Sequence, residues 1–330
     1  MTGRASEDEL IARYFAPVAG AGGLGLRDDA ALYTPTPGHD LVLTTDTIVH
    51  GVHYLPDDPA ASIACKALAV NVSDLVAKGA EPKGFLLGLG LPPDWTEAWL
   101  ADFASGLAEA VAAFGCPLLG GDTVRVAGGT VIGVTAFGEV PAGRMLRRTT
   151  ARPGERLCVT GTIGDAALGL ALRRQRDASW ARGTAFAHRA FLADRYLHPH
   201  PRLRLLPTLR AHARAAMDVS DGLVGDLAKM MRAGGTTAVV DIPAVPLSPA
   251  AEALVAAEPA LLDLALTGGD DYEVLFTVPD ASLGALLADA DGSGVPVAVI
   301  GTVEAGDAPP RFRDRDGAER AFARPSYSHF

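Results

Sequence analysis

The stretch DPAASIACKALAVNVSDLVAKG, residues 58–79, decides the class of fold. It opens on Asp58-Pro59, an N-cap followed by proline at the first helical position. It closes on Gly79, which suits the left-handed residue just past a helix, so 59–78 reads as one helix. Working outward, Phe85–Leu91 reads as a strand, Asp94 and Glu97 cap a second long helix that Gly115 ends, and strands follow near Pro117–Leu119 and Thr130–Val140. Upstream, Ser6 and Glu9 form a capping box before a helix whose Leu10, Ile11, Tyr14 and Phe15 share a face. A glycine-rich loop, Gly20–Leu26, and strands at Ala30–Tyr33 and Leu41–Thr45 complete this half.

Around 141–155 the texture changes to Pro-Ala-Gly-Arg, an arginine pair and Ala-Arg-Pro-Gly, which places a boundary between domains 1–145 and 146–330. Beyond it, strand-like runs at Arg156–Thr160, Ala215–Val219, Thr237–Asp241, Tyr272–Val278 and Pro296–Ile300 alternate with helices. The order of elements predicts two α/β (α+β) domains.

Composition narrows the function. The chain has 330 residues, 48% hydrophobic and 21% charged, enough apolar content for full cores. A formal net charge of −10 argues against nucleic acid and against an anionic membrane surface. No apolar run approaches the roughly 20 residues of a membrane span, and the N-terminus carries no apolar signal core. Three scattered cysteines, Cys65, Cys116 and Cys158, fit a reducing cytoplasm. None of the four lysines, Lys66, Lys78, Lys83 and Lys229, precedes Ser or Thr, which excludes a P-loop. His50-x-x-His53 has neither Cys nor HExxH partners, so zinc is not expected.

The chemistry lies in aspartates at the ends of elements. Asp28 and Asp29 precede a strand, Asp46 ends one, and Asp122 follows a glycine pair after another. Asp74 shares or adjoins a helix face with Asn71 and Ala67, Asp218 and Asp221 flank Ser220 at a strand-to-helix turn, and Asp270 and Asp271 follow Gly268-Gly269. Any one of them serves equally well as a helix cap or an Asx turn. Taken together, with Thr and Ser hydroxyls beside them, they are the ligand set of a hard cation such as Mg²⁺.

As a set, these motifs resemble the thiamine-monophosphate kinases, members of the ATP-binding superfamily that includes aminoimidazole-ribonucleotide synthetase. The resemblance runs through nine segments in order. They are Leu10-Ile-Ala-Arg-Tyr-Phe15, Asp28-Asp-Ala-Ala-Leu32, Thr45-Asp-Thr-Ile-Val-His-Gly-Val-His53 and Lys66-Ala-Leu-Ala-Val-Asn-Val-Ser-Asp74, then Gly120-Gly-Asp-Thr123 and Val159-Thr-Gly-Thr-Ile-Gly-Asp165. Asp218-Val-Ser-Asp-Gly-Leu223, Gly268-Gly-Asp-Asp-Tyr-Glu273 and the tail Tyr327-Ser-His-Phe330 complete the series.

The resemblance implies transfer of the ATP γ-phosphoryl group onto thiamine monophosphate. It implies an N-terminal α/β domain that binds ATP and several Mg²⁺ ions, its strands joining a partner's in a dimeric barrel, so that the chain is a homodimer. By motif position, metal-binding roles fall on Asp29, Thr44, Thr45, Asp46, Asp74, Asp122, Asp218 and Asp221. Nucleotide contacts fall on Gly121, Asp122, Arg148 and Ser220, and substrate contacts on His53, Asp270 and Tyr327. Arg27, Thr44 and Asp270 depart from the family's usual Gly, Ser and Glu. The competing readings are another ATP-dependent synthetase of the superfamily and a silent nucleotide-binding dimer. The Thr-Asp-Thr…His53 and Gly-Gly-Asp-Asp-Tyr-Glu strings favour the thiamine kinase.

Overall fold

The computed structural model describes residues 6–327, so the last three residues of the Tyr327–Phe330 tail lie outside the described residues. The chain divides into two compact units, Met1–Leu75 with Ala80–Met145, and Val76–Gly79 with Leu146–Phe330.

The first unit begins with α1 (Glu7–Leu10), whose Ser6–Glu9 capping box is formed in full, followed by a π turn over Ile11–Phe15. Its sheet has the order β1-β4-β2-β3, from β1 (His39–Val49), β2 (Glu81–Leu91), β3 (Leu118–Arg125) and β4 (Val131–Pro141). The β2–β3 pair is parallel and the other two pairs are antiparallel. Two helices, α2 (Ala60–Ala77) and α3 (Glu97–Phe114), supply the rest of the core. Leu68, Val72 and Leu75 of α2 and Phe103 and Leu107 of α3 are fully buried, each contributing on the order of 1.5–3 kcal/mol. By length and composition α2 could cross a membrane; here 83% of it is buried inside the protein, as a core helix is.

Three expectations are corrected here. Residues 30–33 form no strand; Tyr33 instead packs edge-on against Phe137, with ring centroids 4.8 Å apart. Thr96, not Asp94, caps α3, because its hydroxyl accepts the Trp99 N–H. Asp46 and Asp122 sit inside β1 and β3 rather than at strand ends. The backbone ladder continues past the point where the side chains stop being apolar, because both residues are exposed and burial does not dictate what stands there.

The second unit contains β5 (Arg156–Thr160), α4 (Asp165–Arg174), α5 (Ser179–Gly183), α6 (Phe186–Leu197), α7 (Leu206–His212), β6 (Ala215–Asp218), α8 (Leu223–Gly234) and β7 (Thr236–Asp241). After them come α9 (Pro249–Ala257), α10 (Leu261–Thr267), β8 (Val274–Val278), α11 (Leu283–Ser293), β9 (Val297–Ala305) and β10 (Arg311–Arg313). Its six-stranded sheet has the order β10-β7-β9-β5-β8-β6; only β10–β7 is parallel. Leu157, Val159, Leu227, Met230, Leu275 and Ile300 are among its central buried residues.

Candidate functional site

In the first unit, strand periodicity sorts the assigned residues onto two faces. Thr44 and Asp46 alternate with Thr45 and Thr47 along β1. On one side β1 meets α2. The Thr44 hydroxyl donates to Asp74 Oδ2 at 2.5 Å, and the Asp46 N–H donates to Asn71 Oδ1 at 3.0 Å. On the other side a cavity of about 830 Å³ opens, lined among others by Asp28, Asp29, Thr45 and Asp122.

The floor of this cavity follows from register. Thr47 pairs with Gly133, Gly133 with Gly88, and Gly88 with Asp122, so a row across all four strands has bare backbone at its centre. Glycine inside a strand gives up packing, and it marks a place where something approaches the backbone closely. One row further along, the Thr45 and Thr135 hydroxyls lie 3.1 Å apart. Gly121 is held against β2 so tightly that a Cβ there would overlap the Leu87 carbonyl. Phe15, Tyr33, Leu119 and Phe137 give the cavity an apolar wall.

A strap closes one side of the cavity. Glu139 accepts the Thr36 N–H at 2.7 Å and is 2% exposed. Burial pushes its carboxyl up, but hydrogen bonds from Thr36 and Tyr33 and the charge of Lys83 outweigh that and bring it to about 2. The loop carrying Asp28 and Asp29 is thereby tied down, and Asp28 Oδ1 accepts the Asp29 N–H at 2.8 Å. His53 sits in the turn after β1, where its Nδ1 accepts the Val49 N–H at 3.1 Å, so the neutral ring carries its proton on Nε2.

In the second unit, Asp218 ends β6 at 7% exposure, and Ser220 and Asp221 form the turn into α8. Asp226 organises that turn by accepting the N–H groups of Ser220 (2.9 Å) and Asp221 (2.8 Å). Lys229 donates to Asp221 at 2.5 Å and to Asp226 at 2.8 Å. Burial pulls the Lys229 ammonium down, but the two carboxylates outweigh it and hold it above its ordinary value. The Asp221 carbonyl accepts the Tyr327 N–H at 3.0 Å, which docks the end of the described chain on this turn. The Asp270 N–H donates to the Ser220 carbonyl at 2.8 Å. Arg148 opens a short 3₁₀ turn and is exposed.

Of the fourteen residues assigned from sequence, twelve fall in three groups: Asp29, Thr45, Gly121 and Asp122 about the cavity; Thr44, Asp46 and Asp74 where β1 meets α2; and Asp218, Ser220, Asp221, Asp270 and Tyr327 about the turn into α8; His53 and Arg148 stand in the separate turns already described. It did not assign Gly88, Gly133 or Thr135, although glycine inside two apolar strands was the available signal. Among the described residues no three His, Cys, Asp or Glu side chains are gathered as a cage for an ion. The donors about the cavity are oxygens only, and that chemistry suits a hard cation that keeps phosphate oxygens and water in its shell.

Residues 27–140 match the AIR synthase related protein N-terminal domain and residues 152–310 match the C-terminal domain, which defines the class. A thiamine-monophosphate kinase of Escherichia coli strain K12 is 41% identical over 98% of both chains. The crystal structure of thiamine-monophosphate kinase from Stenotrophomonas maltophilia superposes with a TM-score of 0.80 at 39% identity, covering 89% of this chain and 91% of that one. AaThiL complexed with AMPPCP and TMP superposes with a TM-score of 0.77 at 29% identity, covering 92% and 91%. The chain belongs to the thiamine-monophosphate kinase family.

Proposed function

We propose that this chain transfers the γ-phosphoryl group of ATP to the phosphate of thiamine monophosphate, giving thiamine diphosphate and ADP. The observation that carries this reading is the oxygen-lined cavity on a glycine floor, in a fold whose relative has been solved with AMPPCP and TMP. Phe15, Tyr33, Leu119 and Phe137 form a wall suited to a base, and Asp29, Thr45 and Asp122 an end suited to cation-bound phosphates. Gly121 offers backbone without a side chain, and Arg148 and Ser220 supply further nucleotide contacts. His53, Asp270 and Tyr327 take the thiamine end of the acceptor, where a carboxylate can pair with its charge or amine and an aromatic ring can stack on it.

Mg²⁺ ions held by Asp29, Thr44, Thr45, Asp46, Asp74, Asp122, Asp218 and Asp221 would neutralise phosphate charge and align the two reactants. The acceptor oxygen is already ionised near neutral pH, so these residues need no general base among them. Their task is to position two anionic reactants whose mutual repulsion is the main obstacle.

The active form is a homodimer. Leu41, Leu43, Leu86 and Val124 are exposed, and register places them on the sheet face that carries the cavity. An uncovered apolar face of this kind marks an interaction surface, and pairing across a two-fold axis into a barrel covers it. Domain 1–145 supplies ATP and Mg²⁺ binding and dimerisation, and 146–330 is the C-terminal α/β domain. The setting is the cytoplasm; Cys65, Cys116 and Cys158 form no disulfide, and burial pushes the Cys116 and Cys158 thiols up to about 12.

The test is ADP release from ATP with and without thiamine monophosphate. Release that depends on thiamine monophosphate supports the reading. A silent nucleotide-binding protein gives no difference, and a synthetase of the superfamily requires a different acceptor.

A further inference from the structure

The loop Gly268-Gly-Asp-Asp-Tyr-Glu273 carries three acids, and two of them turn inward: Asp271 is 2% exposed and Glu273 fully buried. Its backbone is unusual. Gly269, Asp270 and Tyr272 have φ of 75°, 67° and 52°, the left-handed region. For Asp270 and Tyr272 that costs on the order of 1 kcal/mol or more each, and such a conformation persists only where its surroundings over-determine it.

Here they do. The Asp270 N–H donates to the Ser220 carbonyl and the Tyr272 N–H to that of Val219, both at 2.8 Å. Both Asp271 carboxyl oxygens lie 2.9 Å from the Gly164 N–H. Glu273 is gripped from three directions. Thr160 Oγ1, at the end of β5, donates at 2.6 Å, Arg195 Nη2 of α6 at 3.0 Å, and Arg202 Nε at 2.6 Å with a second contact from its Nη2. Gly161 makes room, since a Cβ there would overlap Glu273 Oε1 and Arg202 Nη2. The Arg195 guanidinium is buried and its Nη1 has no hydrogen-bond partner, so its orientation serves Glu273 rather than its own satisfaction.

A buried ion network can be architecture alone, and apolar residues would fill such a volume at less cost. What points further is the location: three separate segments of the chain converge on one carboxylate three residues from Asp270, in the segment whose backbone is left-handed.

We infer that Glu273, held by Arg195 and Arg202, is a positioning residue that locks this loop so that Asp270 is presented to the thiamine end of the acceptor. The inference rests on the role proposed above for Asp270.

Steady-state kinetics of Asp270→Ala, Glu273→Gln and the double variant, each checked for folding by its thermal midpoint, test it. Glu273→Gln should raise KM for thiamine monophosphate roughly tenfold and leave KM for ATP within about twofold, the size of a lost charged hydrogen bond. Because Glu273 acts through Asp270, the double variant should match Asp270→Ala alone. A Glu273→Gln that lowers the midpoint with KM unchanged, or a double variant whose losses multiply, overturns the positioning role. If Asp270→Ala itself leaves KM unchanged, the assignment of Asp270 has failed, whatever Glu273 does. Should Glu273→Gln not fold, Arg195→Lys, which removes one guanidinium contact and keeps the charge, is read by the same criteria.

Discussion

Two sets of acidic residues, one in each unit, are held in opposite ways. In the second, Glu273 is buried against Arg195 and Arg202, Asp226 against Lys229, and Asp165 accepts hydroxyls from Thr162 and Ser248, both at 2.5 Å. In the first, Asp29, Asp46 and Asp122 are exposed. A buried carboxylate must be matched within the protein or lose several kcal/mol of hydration. An exposed one keeps its water and can exchange it for an incoming cation. The contrast separates Glu273, Asp226 and Asp165, which hold the fold, from Asp29, Asp46 and Asp122, which are poised for a ligand, and it predicts opposite signatures on substitution.

The largest effect is expected at the exposed acids. Asp46→Ala and Asp122→Ala should each lower turnover by about a thousandfold or more, with a thermal midpoint within about 2 °C of wild type. Ordinary activity in either folded variant at ordinary Mg²⁺ would break the contrast. Next, Glu273→Ala should cost about 3–5 kcal/mol in urea denaturation, because it strands the buried Arg195 guanidinium and takes the partner from the partly buried Arg202. A loss under about 1 kcal/mol would place Glu273 with the exposed acids instead.

A smaller change tests what covers the exposed face. Wild type should sediment as a dimer at micromolar concentration, and the Leu43→Lys, Leu86→Lys double variant should shift toward the 34.1 kDa monomer. A wild-type monomer would remove the dimer from the proposal. The subtlest measurement concerns Glu139, a buried acid of the first unit. Its folded value of about 2 lies below the ordinary 4.5, so its contribution is complete above about pH 4.5 and is lost as pH falls toward 2. Glu139→Gln should flatten that acid limb in pH-dependent unfolding; an unchanged limb would assign it to other carboxylates.

What the sequence made legible was local. The α2 helix stood out because Pro59 and Gly79 bracket it, and the Ser6–Glu9 box because both halves of the motif lie three residues apart. The cap of α3 was misread because Asp94 and Thr96 both qualify by type, and only geometry shows which oxygen reaches the Trp99 N–H. Asp46 and Asp122 stand out by motif but read as strand ends, since nothing local tells a strand where to stop among exposed residues. The grip on Glu273 could not be read at all: Arg202 lies 71 residues away from it, and no spacing rule says which cation a buried acid will meet. Long-range pairing is decided by tertiary packing, which a single sequence does not display.

The glycine floor has a consequence for how this chain tolerates change. At Gly88 an added Cβ would meet nothing nearer than 3.7 Å, and at Gly133 nothing nearer than 3.4 Å, so neither position resists a side chain on steric grounds. Valine at either site would suit a strand better than glycine does. It would also stand up into the cavity above Asp122. A library sorted for heat resistance would therefore enrich Gly88→Val and Gly133→Val while its catalysts disappeared, so at these two positions robustness and usefulness should be inversely related.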